Sequence, residues 1–278
     1  IKPFLYALAM QNGMTPCTTL RNVQHSYGGW TPRNGSHARY GQQVPLKWAL
    51  QHSNNWISAS LITTLGPQQF VGILHDFGLN NPDIDRNATP VLSLGPCEVS
   101  VGEMVSAYTA FANGGVRCAP LFVTKIEDSH GNVIAKFQPL MTEVISEDNS
   151  YRMIDMMRAV IDGGTGSRLK GAYGMKGDIC GKTGTTNSNS DGWFIAFTPE
   201  LVSGAWVGGE DRDIHFDSTS LGQGAAAALP IWAYFMKKVY ADHQLGYSDK
   251  PQFAIPKDFD FCSTSEDTDV NDIQEVYF

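Results

Sequence analysis

One segment constrains the fold more than any other: Gly181-Lys182-Thr183-Gly184-Thr185-Thr186-Asn187, then Ser190-Asp191-Gly192-Trp193-Phe194-Ile195-Ala196-Phe197. β-Branched threonines, a polar turn and an apolar run predict strand, turn and strand. Leu201 to Val207, reached through Thr198-Pro199-Glu200, predicts a third strand, completing an antiparallel meander. Glycine before Lys-Thr also occurs in phosphate-binding loops, which need another glycine five residues before Gly181 and open a helix. That position is Lys176, Gly177 is one residue too close, and a strand follows. A phosphate loop is excluded.

The rest of the chain reads as alternating helices and turns. Residues 1–13 begin helically with no capping residue, which is the expectation for a chain cut within a domain. Residues 14–45 are rich in Gly, Pro, Asn and Thr and predict a long loop. Helices are predicted over 45–52 and 56–65, interrupted by Ser53-Asn54-Asn55, and over 67–77. Ser100 and Glu103 have capping-box spacing ahead of a helix over 104–113. A hairpin is expected around 128–132, a helix over 146–161, and a long apolar helix over 225–242. From 243 to 278 the sequence is polar and acidic (Glu266, Asp267, Asp269, Asp272) and predicts a loosely ordered tail after a domain over 1–242.

With 278 residues, 42% of them hydrophobic, the chain can bury a substantial core. Its net charge of −8 with no basic stripe argues against nucleic acid as a partner. The seven histidines and five cysteines (Cys17, Cys97, Cys118, Cys180, Cys262) form no zinc-ligand spacing, so no metal or other cofactor is expected. An odd cysteine count leaves at least one thiol outside any intramolecular pair, and Cys180 reads as a small buried apolar residue. No stretch is apolar for the ~18–20 residues of a membrane span.

Lys182-Thr183-Gly184 resembles the third signature of penicillin-interacting serine acyl-transfer enzymes, and Ser53-Asn54-Asn55 resembles their S-x-N motif, set between two helices. Ile1-Lys2-Pro3-Phe4 is similar to the end of an S-x-x-K motif with Lys2 as the lysine. Gly163-Gly164-Thr165-Gly166, Asp191-Gly192-Trp193-Phe194 and Trp206-Val207-Gly208 extend the likeness to the transpeptidase domain of class A high-molecular-mass penicillin-binding proteins. Gly192 stands where alanine is more usual, and Gly209-Glu210-Asp211 is a variant acidic turn.

The resemblance implies an α+β fold, with an antiparallel sheet flanked by helices and a helical subdomain. It implies that the first strands and the nucleophilic serine, three residues before Lys2, are missing, so this fragment is expected to be inactive and to expose a strand edge. The parent would be a D-Ala-D-Ala transpeptidase of peptidoglycan synthesis and a β-lactam target. It would be membrane-anchored at the periplasmic face of the bacterial inner membrane, with an upstream glycan-polymerising domain, in a cell-wall synthesis complex.

Lys2, Ser53, Asn55 and Lys182 carry the implied catalytic roles, and Thr183, Gly184 and Thr185 bind substrate. A serine needs a neighbouring base, and Lys2 can serve only if burial and nearby charge lower its pKa. Ser53 would relay the leaving-group proton and Asn55 would hold the substrate amide. Thr183 and Thr185 lie on one strand face, suited to a carboxylate, while Gly184 leaves the strand edge open to an added peptide strand. Two other readings keep the fold: a D,D-carboxypeptidase or β-lactamase with water as acceptor, and a non-catalytic sensor module.

Overall fold

Helix α1 (Lys2–Gln11) is buried from Lys2 through Met10, apolar on every side apart from the lysine at its start. A helix of that kind is stable only inside a core. Pro3 suits the first turn, where its missing N–H has no partner to lose. The computed structural model describes residues 1–263. In it α1 lies at the centre of the helical part, against α3 (Asn55–Leu65), α4 (Pro67–Asp76) and α6 (Glu147–Gly163). Phe4 meets Phe77, Tyr108 and Phe111 at ring separations of 5.0–5.7 Å.

The long loop after α1 is closed at its base by two short antiparallel strands, β1 (Thr19–Arg21) and β2 (Gln43–Pro45). Helix α2 (Leu46–Gln51) follows and stops at Ser53-Asn54, before α3. Asn54 is the N-cap of α3 and accepts from the Ile57 N–H. The capping box predicted from Ser100 and Glu103 is present and opens α5 (Val101–Ala112). Residues 116–143 form two strand pairs: β3 (Val116–Cys118) with β6 (Met141–Glu143), and β4 (Lys125–Glu127) with β5 (Val133–Lys136).

The meander is present as β7 (Cys180–Thr185), β8 (Asp191–Phe197) and β9 (Val202–Gly208), antiparallel in the order β7-β8-β9. The strand period sorts its side chains. Ile195 and Phe197 join the helical core, while Phe194 and Ala196 face a second core built on α7 (Leu229–Ala241). Phe194 and Trp232 meet edge-to-face at 5.7 Å. The single helix expected over 225–242 is broken at Ala228, and Pro230 lies in the first turn of α7. Proline has no N–H to continue a helix but is well suited to starting one.

The tail expected from 243 is described as far as Ser263, and this part lies against the domain; Glu266, Asp267, Asp269 and Asp272 fall outside the described residues. The reason is its spaced apolar residues. Phe253 packs on Phe197 at 5.7 Å, and Phe259 on Tyr151 at 5.2 Å. The Phe253 N–H donates to Asp178, whose carboxylate is also held bidentately by Arg158 at 2.7 and 2.8 Å. Cys262 is disulfide-bonded to Cys17, while Cys97, Cys118 and Cys180 are free thiols. Cys180 is fully buried, as its sequence context implies, and burial pushes its thiol pKa well up. No helix among the described residues is long and apolar enough to cross a membrane.

Candidate active site

A cleft of about 780 Å³ separates the helical part from the free edge of β7, and it brings together all seven residues singled out in the sequence. Lys2, Ser53 and Asn55 form its helical wall, and Lys182, Thr183, Gly184 and Thr185 its strand wall.

Ser53 is the junction. Its backbone is left-handed, with φ 53°, a conformation that costs a non-glycine residue of order 1–3 kcal/mol and persists only where surroundings enforce it. Here the Ser53 N–H donates to Leu50 O and the Asn54 N–H to Ala49 O, so the chain turns sharply between α2 and α3. The turn points the Ser53 hydroxyl at both lysines: Lys2 Nζ is 3.1 Å from Ser53 Oγ and Lys182 Nζ is 3.0 Å from it. Lys2 also donates to Ser53 O at 2.6 Å and to Asn55 Oδ1 at 2.5 Å, and Lys182 donates to Thr183 O at 2.8 Å.

Both amines are buried, and among the described residues no carboxylate pairs with either of them. Burial disfavours the charged form, so the pKa of Lys2 falls well below its usual value, and the Lys182 charge beside it adds to the effect. Burial brings Lys182 down to about 7. Two buried amines whose charged forms are disfavoured, sharing one hydroxyl, can pass a proton between them and anything seated beside Ser53.

Asn55 is held on three sides. Its Oδ1 faces Lys2, its Nδ2 donates to Arg33 O at 2.6 Å, and its N–H donates to Asn34 Oδ1 at 2.6 Å. One Nδ2 proton is therefore used within the wall and one remains for a ligand carbonyl. Trp56 Nε1 donates to Pro32 O, and Asn54 Nδ2 to Asn22 Oδ1, so the 22–42 loop is fastened over the S-x-N turn at several points. Local sequence predicts only a long loop here, because the Asn34 side chain that holds the Asn55 N–H lies 21 positions from it.

On the strand wall, Thr185 Oγ1 accepts from the Gly224 N–H at 3.0 Å. Gly224 fits there because it has no Cβ, which would collide with the Gly184 and Trp193 carbonyl oxygens. Thr183 Oγ1 lies 2.6 Å from Thr165 Oγ1, in the glycine-rich turn after α6. Thr165 lines the same cleft, a contact the sequence reading did not single out.

The family model for the penicillin binding protein transpeptidase domain matches residues 1–207. Penicillin-binding protein 1A of Aquifex aeolicus is 35% identical over 248 residues, covering 86% of this chain and 32% of that protein. Penicillin-binding protein 1A of Neisseria lactamica is 33% identical over 252 residues, covering 85% and 30%. This chain thus spans about a third of the length of these relatives. The crystal structure of penicillin-binding protein 1A from Haemophilus influenzae superposes with a TM-score of 0.78 at 27% identity, over 92% of this chain and 42% of that one. The α+β fold is that of such transpeptidase domains.

Proposed function

Since the chain belongs to the penicillin-binding protein transpeptidase family, we propose that in the parent protein this cleft, completed by the serine of S-x-x-K, performs serine acyl transfer on peptidoglycan stem peptides ending in D-alanyl-D-alanine and is acylated by β-lactams. The observation that carries this reading is one hydroxyl, Ser53 Oγ, shared by two buried, charge-depleted lysines opposite a strand edge lined with threonine.

The nucleophile in this register is the serine of S-x-x-K, three residues before Lys2. A serine and a lysine so spaced lie on one helix face, with Cβ atoms ~5–6 Å apart. Neutral Lys2 takes the serine Oγ proton as Oγ bonds to the carbonyl carbon of the penultimate D-alanine. The amide C–N bond then breaks, and the terminal D-alanine leaves as an amine protonated through Ser53 and Lys2. An acceptor amine attacks the acyl-serine, losing its proton along the same path and restoring the serine. Asn55 donates to the substrate amide carbonyl. The N–H of Thr185 and that of the serine receive the oxyanion, an interaction worth about 3–4 kcal/mol per donor.

Lys182 and the hydroxyls of Thr183 and Thr185 receive the terminal carboxylate, and Gly184 keeps the edge of β7 clear for the peptide. A carboxylate beside Lys182 restores its charge, so substrate and cation form together. The parent protein is assigned to the periplasmic face of the inner membrane, anchored there within a cell-wall synthesis complex. The greater length of the relatives supports a further, glycan-polymerising domain.

Intact mass after benzylpenicillin tests the proposal, on the 278-residue polypeptide and on a version extended upstream through the serine. A single stable adduct on the extended protein alone is the expected result. An adduct on Ser53, or none on either, overturns it.

A further inference from the structure

Thr183 and Thr185 hold their hydroxyls in matching ways. The Gly224 N–H can only donate, so Thr185 Oγ1 accepts from it and keeps its own proton free for the cleft. Thr183 Oγ1 has a hydroxyl neighbour instead, Thr165 Oγ1 at 2.6 Å, and either oxygen could donate. A carboxylate only accepts, so Thr183 must spend its proton on the ligand, and the proton between the two threonines must then come from Thr165.

We propose that Thr165 is a positioning residue for carboxylate recognition, donating to Thr183 Oγ1 so that the Thr183 proton is directed into the cleft. This rests on the acyl-transfer reading above. The glycines around Thr165 hold it there. Its N–H donates to Gln51 O at 3.1 Å, and the Gly164 and Gly166 N–H groups donate to Val160 O at 3.1 and 3.0 Å. A Cβ on Gly164 would collide with Gln51 O, and one on Gly166 would press Ile161 Cδ1 at 2.8 Å. Gln51 is two residues before Ser53, so one turn ties the helical wall to the strand wall. Thr165 is itself half-buried and lines the cleft, which leaves its hydroxyl free to rotate toward Thr183.

The test measures acylation of the protein, upstream serine included, by benzylpenicillin and by benzylpenicillin methyl ester, which lacks the carboxylate charge. Thr165→Val keeps the β-branched shape and removes the donor. Its acylation by the acid is expected to fall about tenfold, the size of one charge-assisted hydrogen bond, while the ester rate holds within about twofold, so preference for the acid shrinks. Thr165→Ser restores that preference. Equal losses with acid and ester, or no loss with either, would overturn the positioning role while leaving the acyl-transfer reading intact. Failure of the unsubstituted protein to be acylated by the acid would overturn both.

Discussion

The two walls of the cleft differ in what they leave free. On the helical wall, Lys2, Ser53 and Asn55 bond chiefly to one another and to the roofing loop, and Lys2 is buried with its charge suppressed. On the strand wall, Thr183 and Thr185 are half-buried and exposed, and their oxygens have protein partners on the side away from the ligand. The helical wall is poised for proton transfer, with one Asn55 Nδ2 proton left for a ligand carbonyl, and the strand wall is left incomplete in the direction of an anion. The division separates chemistry from recognition within a few ångströms, with Lys182 at the seam.

Replacing Lys182 separates the two roles most sharply. Lys182→Met removes a cation from the strand wall, so noncovalent affinity for a carboxylate ligand should drop about 10–100-fold, the range for a hydrogen bond to a charged group. The same change removes the charge that helps depress Lys2. The Lys2 pKa then rises, neutral Lys2 appears only at higher pH, and the acid limb of the acylation profile moves upward. Burial remains the larger cause, so the limb should stay below the ordinary lysine range. A limb that stays in place, or moves down, would break the division between the walls.

A smaller effect on catalysis is expected from the Cys17–Cys262 link. Cys262→Ser removes this covalent tie on the 247–262 segment, and closing a long loop is worth roughly 2–4 kcal/mol, so the melting temperature should fall by several degrees. Acylation rates measured well below melting should not change, because neither Cys17 nor Cys262 lines the cleft. A matching loss of acylation would show that the walls depend on this link for their geometry.

The sequence made some of this legible and hid the rest for physical reasons. The strand at Lys182 and the cap at Ser100 were readable because strand period and capping are local. Lys2, Ser53 and Lys182 could be gathered only through a family likeness, since 51 and 129 positions separate Ser53 from its two partners. The left-handed turn at Ser53 carried no glycine to announce it, because tertiary bonds rather than residue preference hold it. The grips of Arg33 and Asn34 on Asn55, the Thr165–Thr183 pair and the Cys17–Cys262 link all form when distant segments close together, and local composition does not encode such partners. Residues 247–263 lie against the domain through spaced aromatics such as Phe253 and Phe259, a signal too sparse to stand out in a polar composition.

The most direct test of the account is the protonation state of Lys2 itself. In protein labelled with ¹³C at lysine Cε, and assigned by Lys2→Arg, the Lys2 resonance should titrate well below the ordinary lysine range and shift upward in Lys182→Met. A Lys2 that titrates at the ordinary lysine value would contradict the claim that burial in this wall suppresses its charge and readies it to take a proton.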